Sequence, residues 1–299
     1  GRVFGRVTPH QKRAMVRVLQ DREHVVAMTG DGVNDVLALK HSDMGIAMGD
    51  GSAATRAVAQ LVLLDNRFAT LPYVLAEGRR VINNIERVAN LFITKATYAV
   101  LLTVLVGVTG SPFPFLPRQL TLIGTFSIGI PGFFLAMSAN RALVRPGFLA
   151  RVLRFSLPVG VIAGIGAYVA YELSREATGV DLDESRTVAT ITLLVLGLVT
   201  LVMVSRPLVA WKLALVAGMG AGYAVVMIHP WLRDYFELEP LSAGSIVIVS
   251  VCSIIAGAAI VASPWAVDRL RPVDEPEARG SEIPSRPSGL PRTTTVPSE

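Results

Sequence analysis

Val25-Val26-Ala27-Met28-Thr29-Gly30-Asp31-Gly32-Val33-Asn34-Asp35-Val36-Leu37-Ala38-Leu39-Lys40 is the stretch whose reading decides the fold. Val25 to Met28 is a short apolar run between polar residues, the pattern of a buried parallel strand. It passes straight into a loop of Gly, Asp and Asn, and then into a helical stretch, Val36 to Lys40. Met44-Gly45-Ile46-Ala47-Met48 reads as the next strand and Ala53–Leu64 as the next helix. Strand, loop, helix, strand, helix is the order of a doubly wound α/β domain, in which ligands bind at the C-terminal ends of the strands.

The loop sits at such an end. Asp31 and Asp35, four residues apart, are hard oxygen donors suited to Mg²⁺. Gly30 and Gly32 let the backbone approach a phosphate, and Asn34 offers a hydrogen bond to phosphate or carboxylate. A solvated turn has the same composition, so spacing alone leaves both readings open.

Outward from this segment the chain changes character. Apolar residues make up 52% of it, and from about residue 88 to 267 they gather into blocks near the ~20 residues that cross a bilayer. Six spans follow from this: Val88–Val108, Gln119–Ala139, Leu153–Leu173, Thr187–Ser205, Val209–Ile228 and Gly244–Val267. The single cysteine, Cys252, lies in the last of them, which excludes disulfides and thiolate metal clusters within the chain. After Arg271 the composition turns to Pro, Ser, Thr, Glu and Arg, which buries too little surface to fold. Gly1-Arg2-Val3-Phe4 reads as the middle of a domain.

The excess of Lys and Arg, 28 against 23 acidic residues, does not read as a nucleic-acid signal, because much of it lies in alternate loops between the apolar blocks. Arg79, Arg80 and Arg87 precede the first span. Arg141, Arg145, Arg151 and Arg154 mark the loop between the second and third, the last of them at the start of the third span. Arg206 and Lys212 mark the loop between the fourth and fifth, with Lys212 just inside the fifth, and Arg269 and Arg271 follow the last. Asp181, Asp183, Glu184, Asp234, Glu237 and Glu239 mark loops on the other side. The basic side is the cytoplasmic one, which puts both ends of the chain there.

Within the spans, Gly124-Thr125-Phe126-Ser127-Ile128-Gly129-Ile130-Pro131 stands out. Gly124, Gly129 and Pro131 can interrupt the helix and free carbonyls, which is tolerated only beside a cavity or within protein. Thr125 and Ser127 add hydroxyls. Lys95 lies inside the first span, where an ionisable group faces the bundle interior or snorkels to the membrane surface.

Several of these segments resemble the P-type cation-transporting ATPases of the haloacid dehalogenase superfamily. Thr29-Gly30-Asp31-Gly32-Val33-Asn34-Asp35 resembles the family's hinge motif. Val3-Phe4-Gly5-Arg6-Val7-Thr8-Pro9-His10-Gln11-Lys12 resembles the segment carrying its phosphate-binding lysine. Gly45-Ile46-Ala47-Met48-Gly49 and Asn83-Asn84-Ile85 also fit. The resemblance implies that 1–78 is the C-terminal part of a phosphorylation domain, 79–270 a stalk with six transmembrane helices, and 271–299 a disordered cytoplasmic tail. It implies ATP and Mg²⁺ as cofactors. Asp31 would bind the Mg²⁺ and Asp35 support it, Lys12 would neutralise phosphate charge, and Thr29 and Asn34 would hydrogen-bond phosphate or position Asp31. The family's Asp-Lys-Thr-Gly-Thr nucleophile string does not occur here, so the nucleophile, the nucleotide-binding and actuator domains and the first four spans belong to the N-terminal part of the same pump.

The same resemblance puts the ion path in the first two spans, at Lys95, Gly124, Thr125, Ser127 and Pro131. Positions where calcium pumps carry carboxylates and amides hold Ala96, Ala99, Gly124 and Ile128. That favours one Ca²⁺ per cycle over two. Two other readings fit the same spans: a lipid flippase, and a membrane protein keeping a relic domain.

Overall fold

The computed structural model describes residues 4–140, 142–177 and 179–270. The tail assigned to 271–299, with Val3, Arg141 and Arg271, lies outside the described residues. The chain divides into two units, residues 1–88 with 133–146, and residues 89–132 with 147–299.

The first unit opens with α1, Pro9–Gln20, whose start is built by its own sequence. Thr8 caps it, accepting from the Gln11 N–H at 3.4 Å, while the Gln11 side chain accepts from the Thr8 N–H at 2.9 Å. Pro9 stands in the first turn, where a missing N–H costs nothing. A three-stranded parallel sheet follows in the order β1 (Ala27–Gly30), β2 (Met44–Met48), β3 (Leu61–Leu63). Helices α2 (Val36–His41) and α3 (Ala53–Val58) make the crossovers. Val16, Ala38, Leu39, Ile46, Ala47 and Leu63 are buried and form the apolar interior.

Two expectations need correction here. The first strand runs Ala27–Gly30 rather than from Val25 to Met28. Pairing with β2 starts at Ala27 opposite Met44, the Val26 N–H is given to the Asp43 carboxylate at 2.8 Å, and Val25 is 88% exposed. The helix expected over Ala53–Leu64 stops at Val58, because Ala59 turns extended (φ −77°, ψ 143°). Leu61–Leu63 then pairs as a strand with Ile46–Met48.

In the second unit the membrane-type helices are α4 (Leu71–Thr109, beginning in the first unit), α5 (Pro117–Gly124), α6 (Ile130–Ala136, ending in the first unit), α7 (Phe148–Glu176), α8 (Leu182–Val204), α9 (Ala210–Ile228) and α11 (Ala243–Leu270). A short α10 (Pro230–Tyr235) joins α9 to α11. Counting α5 to α6 as one span, six helical segments among the described residues are long and apolar enough to cross a membrane, as the sequence predicted. Without a hydrophobic drive between helices in lipid, packing rests on small residues. A Cβ at Gly160 of α7 would stand 2.9 Å from the Thr94 carbonyl of α4, so only glycine permits that approach. Two of the buried threonines spend their hydroxyls on their own helix: Thr192 donates to the Val188 carbonyl and Thr200 to that of Leu196, both at 2.8 Å.

The first unit also contains the base of α4 and the segment after α6. The Asn84 amide donates to the carbonyls of Ala136 (2.9 Å) and Ser138 (2.7 Å), that of Asn83 to Ala142 (2.9 Å), and Arg87 to the Ser138 hydroxyl (3.2 Å). The Asn83-Asn84 pair therefore satisfies orphan carbonyls where α6 ends.

Candidate functional site

The loop between β1 and α2 is held from three sides. Its backbone is pinned by the segment opening α3, since the Ser52 N–H donates to the Asp31 carbonyl (2.8 Å) and the Thr55 hydroxyl to the Gly32 carbonyl (2.9 Å). The Asp35 N–H closes a turn on the Gly32 carbonyl at 3.0 Å. Gly30 has a steric reason to be glycine: a Cβ there would stand 2.5 Å from the Cβ of Asp35 and 2.8 Å from its carboxylate. The Asp35 side chain thus lies against the end of β1. Gly51 is as constrained, because its Cβ would meet the Asp31 carbonyl at 2.9 Å.

Asp35 is buried, 7% exposed, and Lys12 of α1 donates to its Oδ1 at 2.6 Å. The pair explains why a lysine in the first turn of α1 reaches the strand end. A carboxylate in this position fixes the ammonium and carries much of the cost of holding a charge out of water. Asp31 lies on the exposed lip of the loop, and no hydrogen bond or ion pair to its carboxylate is found among the described residues. Thr29 and Asn34 are exposed on the same lip. The structure therefore joins Lys12, Asp35 and Gly30 tightly, sets Asp31, Gly32, Thr29 and Asn34 beside them, and adds Gly51, Ser52 and Thr55. The sequence reading missed those three, although Ser52-Ala53-Ala54-Thr55 has the spacing of a helix cap.

Among the described residues no group of three His, Cys, Asp or Glu side chains could hold a metal. That donor set does not make a closed cage. It does fit Mg²⁺, which keeps most of its waters and takes one or two protein carboxylates along with phosphate oxygens. Asp31, exposed at the strand end, fits as such a ligand.

The second candidate region is the break in the α5–α6 span. Residues Thr125–Gly129 form one π-helical turn, closed by the Ile130 N–H on the Thr125 carbonyl. Pro131, buried just beyond, has no N–H to give to the carbonyl of Phe126 or of Ser127. Single π turns arise where helices serve function. Ser127 is buried, and its hydroxyl shares a 3.0 Å hydrogen bond with the Tyr223 hydroxyl of α9. Lys95 points at the same turn, its Nζ 3.0 Å from where a Cβ on Gly124 would stand. An open groove of about 470 Å³ runs past Phe92, Lys95, Thr121, Gly124, Thr125 and Gly129. Behind it, Thr94, Lys95, Tyr98, Ser127 and Thr200 border a cavity of about 20 Å³, room for one water-sized occupant. The Thr94 hydroxyl is buried there without a hydrogen-bond partner.

Residues 13–75 match a family model described as haloacid dehalogenase-like hydrolase. Over 275 residues the chain is 49% identical to the calcium-transporting ATPase CtpE of Mycolicibacterium smegmatis, covering 88% of this chain and 35% of that protein. It is 46% identical over 280 residues to CtpE of Mycobacterium tuberculosis, with 89% and 35% covered. It is 32% identical over 264 residues to the probable cation-transporting ATPase exp7 of Streptococcus pneumoniae, with 85% and 33% covered. The chain thus spans about a third of the length of these relatives.

Proposed function

We propose that this chain, which belongs to the P-type cation-transporting ATPases and resembles their calcium-pump-like bacterial branch, supplies half of a phosphoryl-transfer site and part of an ion path to an ATP-driven Ca²⁺ pump. On this reading residues 1–78 close a phosphorylation domain, 79–270 are stalk and membrane helices, and 271–299 form a cytoplasmic tail. The phosphorylated aspartate and the remaining domains, which bind most of the ATP, belong to the N-terminal part of the same protein.

The Lys12–Asp35 pair is the observation that carries the catalytic half. An ammonium held by a buried carboxylate at a strand end is preorganised to meet phosphate charge, and stabilisation of that kind needs no rearrangement as the charge develops. Mg²⁺, when bound, supplies neutralisation of phosphate oxygens. Asp31 presents its carboxylate to the metal, Thr29 and Asn34 stand within the loop as hydrogen-bonding groups for phosphate, and Gly30 and Gly32 keep the backbone low.

For the transport half, the π turn at Thr125–Gly129 is the supporting feature. It places a hydroxyl and disturbed carbonyls in the interior of a bundle whose first two spans hold no carboxylate. Hydroxyl and carbonyl oxygens are hard donors suited to Ca²⁺, and the relatives named as calcium-transporting support that ion. ATPase activity of the full-length protein in membranes, measured across Ca²⁺, Mn²⁺, Mg²⁺, K⁺ and Na⁺, tests it. Micromolar Ca²⁺ is expected to stimulate and Ser127→Ala to weaken the response. Indifference to Ca²⁺ with stimulation by a phospholipid would replace this reading with a flippase.

Loop charge supports cytoplasmic placement of both ends. Cysteines placed at Asp183 and Glu237 should react with an impermeant thiol reagent from outside, and reaction at Arg145 instead would invert the topology.

A further inference from the structure

The π turn does not stand alone in the second span. Two glycines on other helices make room for its side chains. A Cβ on Gly197 of α8 would stand 2.6 Å from the Ser127 hydroxyl and 3.1 Å from the Ser127 Cβ. A Cβ on Gly222 of α9 would overlap the Phe126 ring. Next to Gly222, Tyr223 packs against Phe126 with ring centroids 4.9 Å apart and planes tilted by 45°, and its hydroxyl bonds that of Ser127 at 3.0 Å. Consecutive residues of the π turn are thus each seated in a glycine notch, and one tyrosine spans both. By contrast Gly218, on the same helix α9, has no neighbour within 4 Å of its would-be Cβ, and Gly220 meets only Leu198 at an ordinary 3.7 Å.

The geometry points to Gly197, Gly222 and Tyr223 as positioning residues for the cation path. They form a cradle on α8 and α9 that fixes the Phe126–Ser127 turn, and thereby the Ser127 hydroxyl and the carbonyls before Pro131, at the place where the ion is coordinated. The inference rests on the reading of the second span as the ion path. A π turn is an irregularity that an isolated helix would anneal, so a rigid seat is what keeps it. Tyr223 serves as more than a packing ring. Bonding Ser127 through its hydroxyl, it orients the Ser127 lone pairs without itself reaching the groove beside Thr125 and Gly129, which it does not line.

The test uses the full-length protein in membranes, with Ca²⁺ as the probe and ATPase activity as readout. Gly197→Ala and Gly222→Ala are expected to raise the Ca²⁺ concentration for half-stimulation about ten- to hundredfold, with maximal turnover changed far less. Tyr223→Phe keeps the ring and removes the hydroxyl, so a rise of roughly two- to tenfold is expected, non-additive with Ser127→Ala because both delete one hydrogen bond. Gly218→Ala and Gly220→Ala, matched in chemistry and helix, should leave the half-stimulating concentration unchanged. Phe126→Leu should restore part of what Gly222→Ala loses. Equal responses in all four glycine variants, or strict additivity of Tyr223→Phe with Ser127→Ala, would overturn the cradle. Should no cation stimulate the wild type, the transport reading falls, and the cradle is read separately by cross-linking. A Ser127→Cys, Gly197→Cys pair in a Cys252→Ser background should form a disulfide on mild oxidation, since the Cβ positions lie close to the ~3.5–4.5 Å a disulfide needs. No disulfide would overturn the geometry itself.

Discussion

At the end of β1, Gly30 lets the Asp35 carboxylate lie against the strand, and an ion pair with Lys12 settles its charge. In the second span, Gly124 likewise opens space beside a lysine, but Lys95 has no acidic group around it in the groove or cavity it borders. Both regions use glycine to bring a lysine close to irregular backbone. They differ in what balances the positive charge. In the soluble site a carboxylate stands 2.6 Å away and the lip is open to water. In the membrane site the surroundings are hydroxyls, a tyrosine ring and carbonyl oxygens. Lys95 is half-exposed along that groove, and no ion pair to it is found among the described residues, whereas the ammonium of Lys12 is held by the Asp35 carboxylate. On the function proposed above, the first site stays preorganised for phosphate and the second trades one charge for another.

The largest effect that could break this contrast is catalytic. Asp31→Asn, Lys12→Ala and Asp35→Asn in the full-length protein should each lower turnover by roughly 10²–10³-fold, the loss typical of one electrostatic stabiliser. Lys12→Ala and Asp35→Asn should be far from additive, since each leaves its partner without its counter-charge. Near-normal Mg²⁺-dependent phosphorylation and turnover in all three variants would mean that the loop is a structural turn.

How much of this was readable beforehand follows the physics of each signal. The spans were legible because twenty apolar residues in series have few other uses, and the β2 bounds Met44–Met48 were read as found. The strand Leu61–Leu63 was hidden in a run read as helix. Three or four apolar residues fit either state, and only pairing with Ile46–Met48 decides between them. Helix α1 was readable in principle, since Thr8-Pro9-His10-Gln11 carries a capping box. The Lys12–Asp35 contact joins residues 23 apart and that of Ser127 with Tyr223 residues 96 apart. No local pattern announces either. The family resemblance put Lys12 and Asp35 in one site without foreseeing their contact, and the Ser127–Tyr223 contact appears only through the packing of α9 on the π turn.

A smaller effect sharpens the membrane side. If Lys95 is a counter-charge for the transported cation, Lys95→Ala should change the net charge moved per cycle by about one unit, with Ca²⁺ still stimulating ATPase activity. Its Nζ, directed at Gly124, supports that role over snorkelling. Electrogenic current per ATP hydrolysed, measured in proteoliposomes for wild type, Lys95→Ala and Lys95→Arg, decides it. Unchanged current in Lys95→Ala would leave the lysine as a surface-seeking side chain, and the contrast between the two sites would lose its electrostatic half.

The smallest expected effect concerns the frame of the soluble site rather than its chemistry. Asp43 holds the entry to β1 by accepting from the Val26 N–H, and this bond, helped by the Gln20 side chain, keeps its carboxyl below the usual carboxylate range. A carboxyl lowered on folding contributes stability that is fully present above its unfolded value, about 3.9, and is lost as pH falls through the lowered folded value. Asp43 is exposed, so water screens the effect and the change is local. Hydrogen exchange at the Val26 amide is the fitting probe. Relative to its intrinsic rate, protection in the wild type should fall as the pH drops below the unfolded carboxyl value and through the lowered folded one. In Asp43→Asn, whose amide oxygen still accepts but does not titrate, protection should be flat over that range and lower than wild type at its upper end. Asp43→Ala should lack it throughout. A wild-type profile as flat as that of Asp43→Asn would show that the bond does not hold the strand, and that β1 is aligned by its pairing with Met44–Ala47 alone.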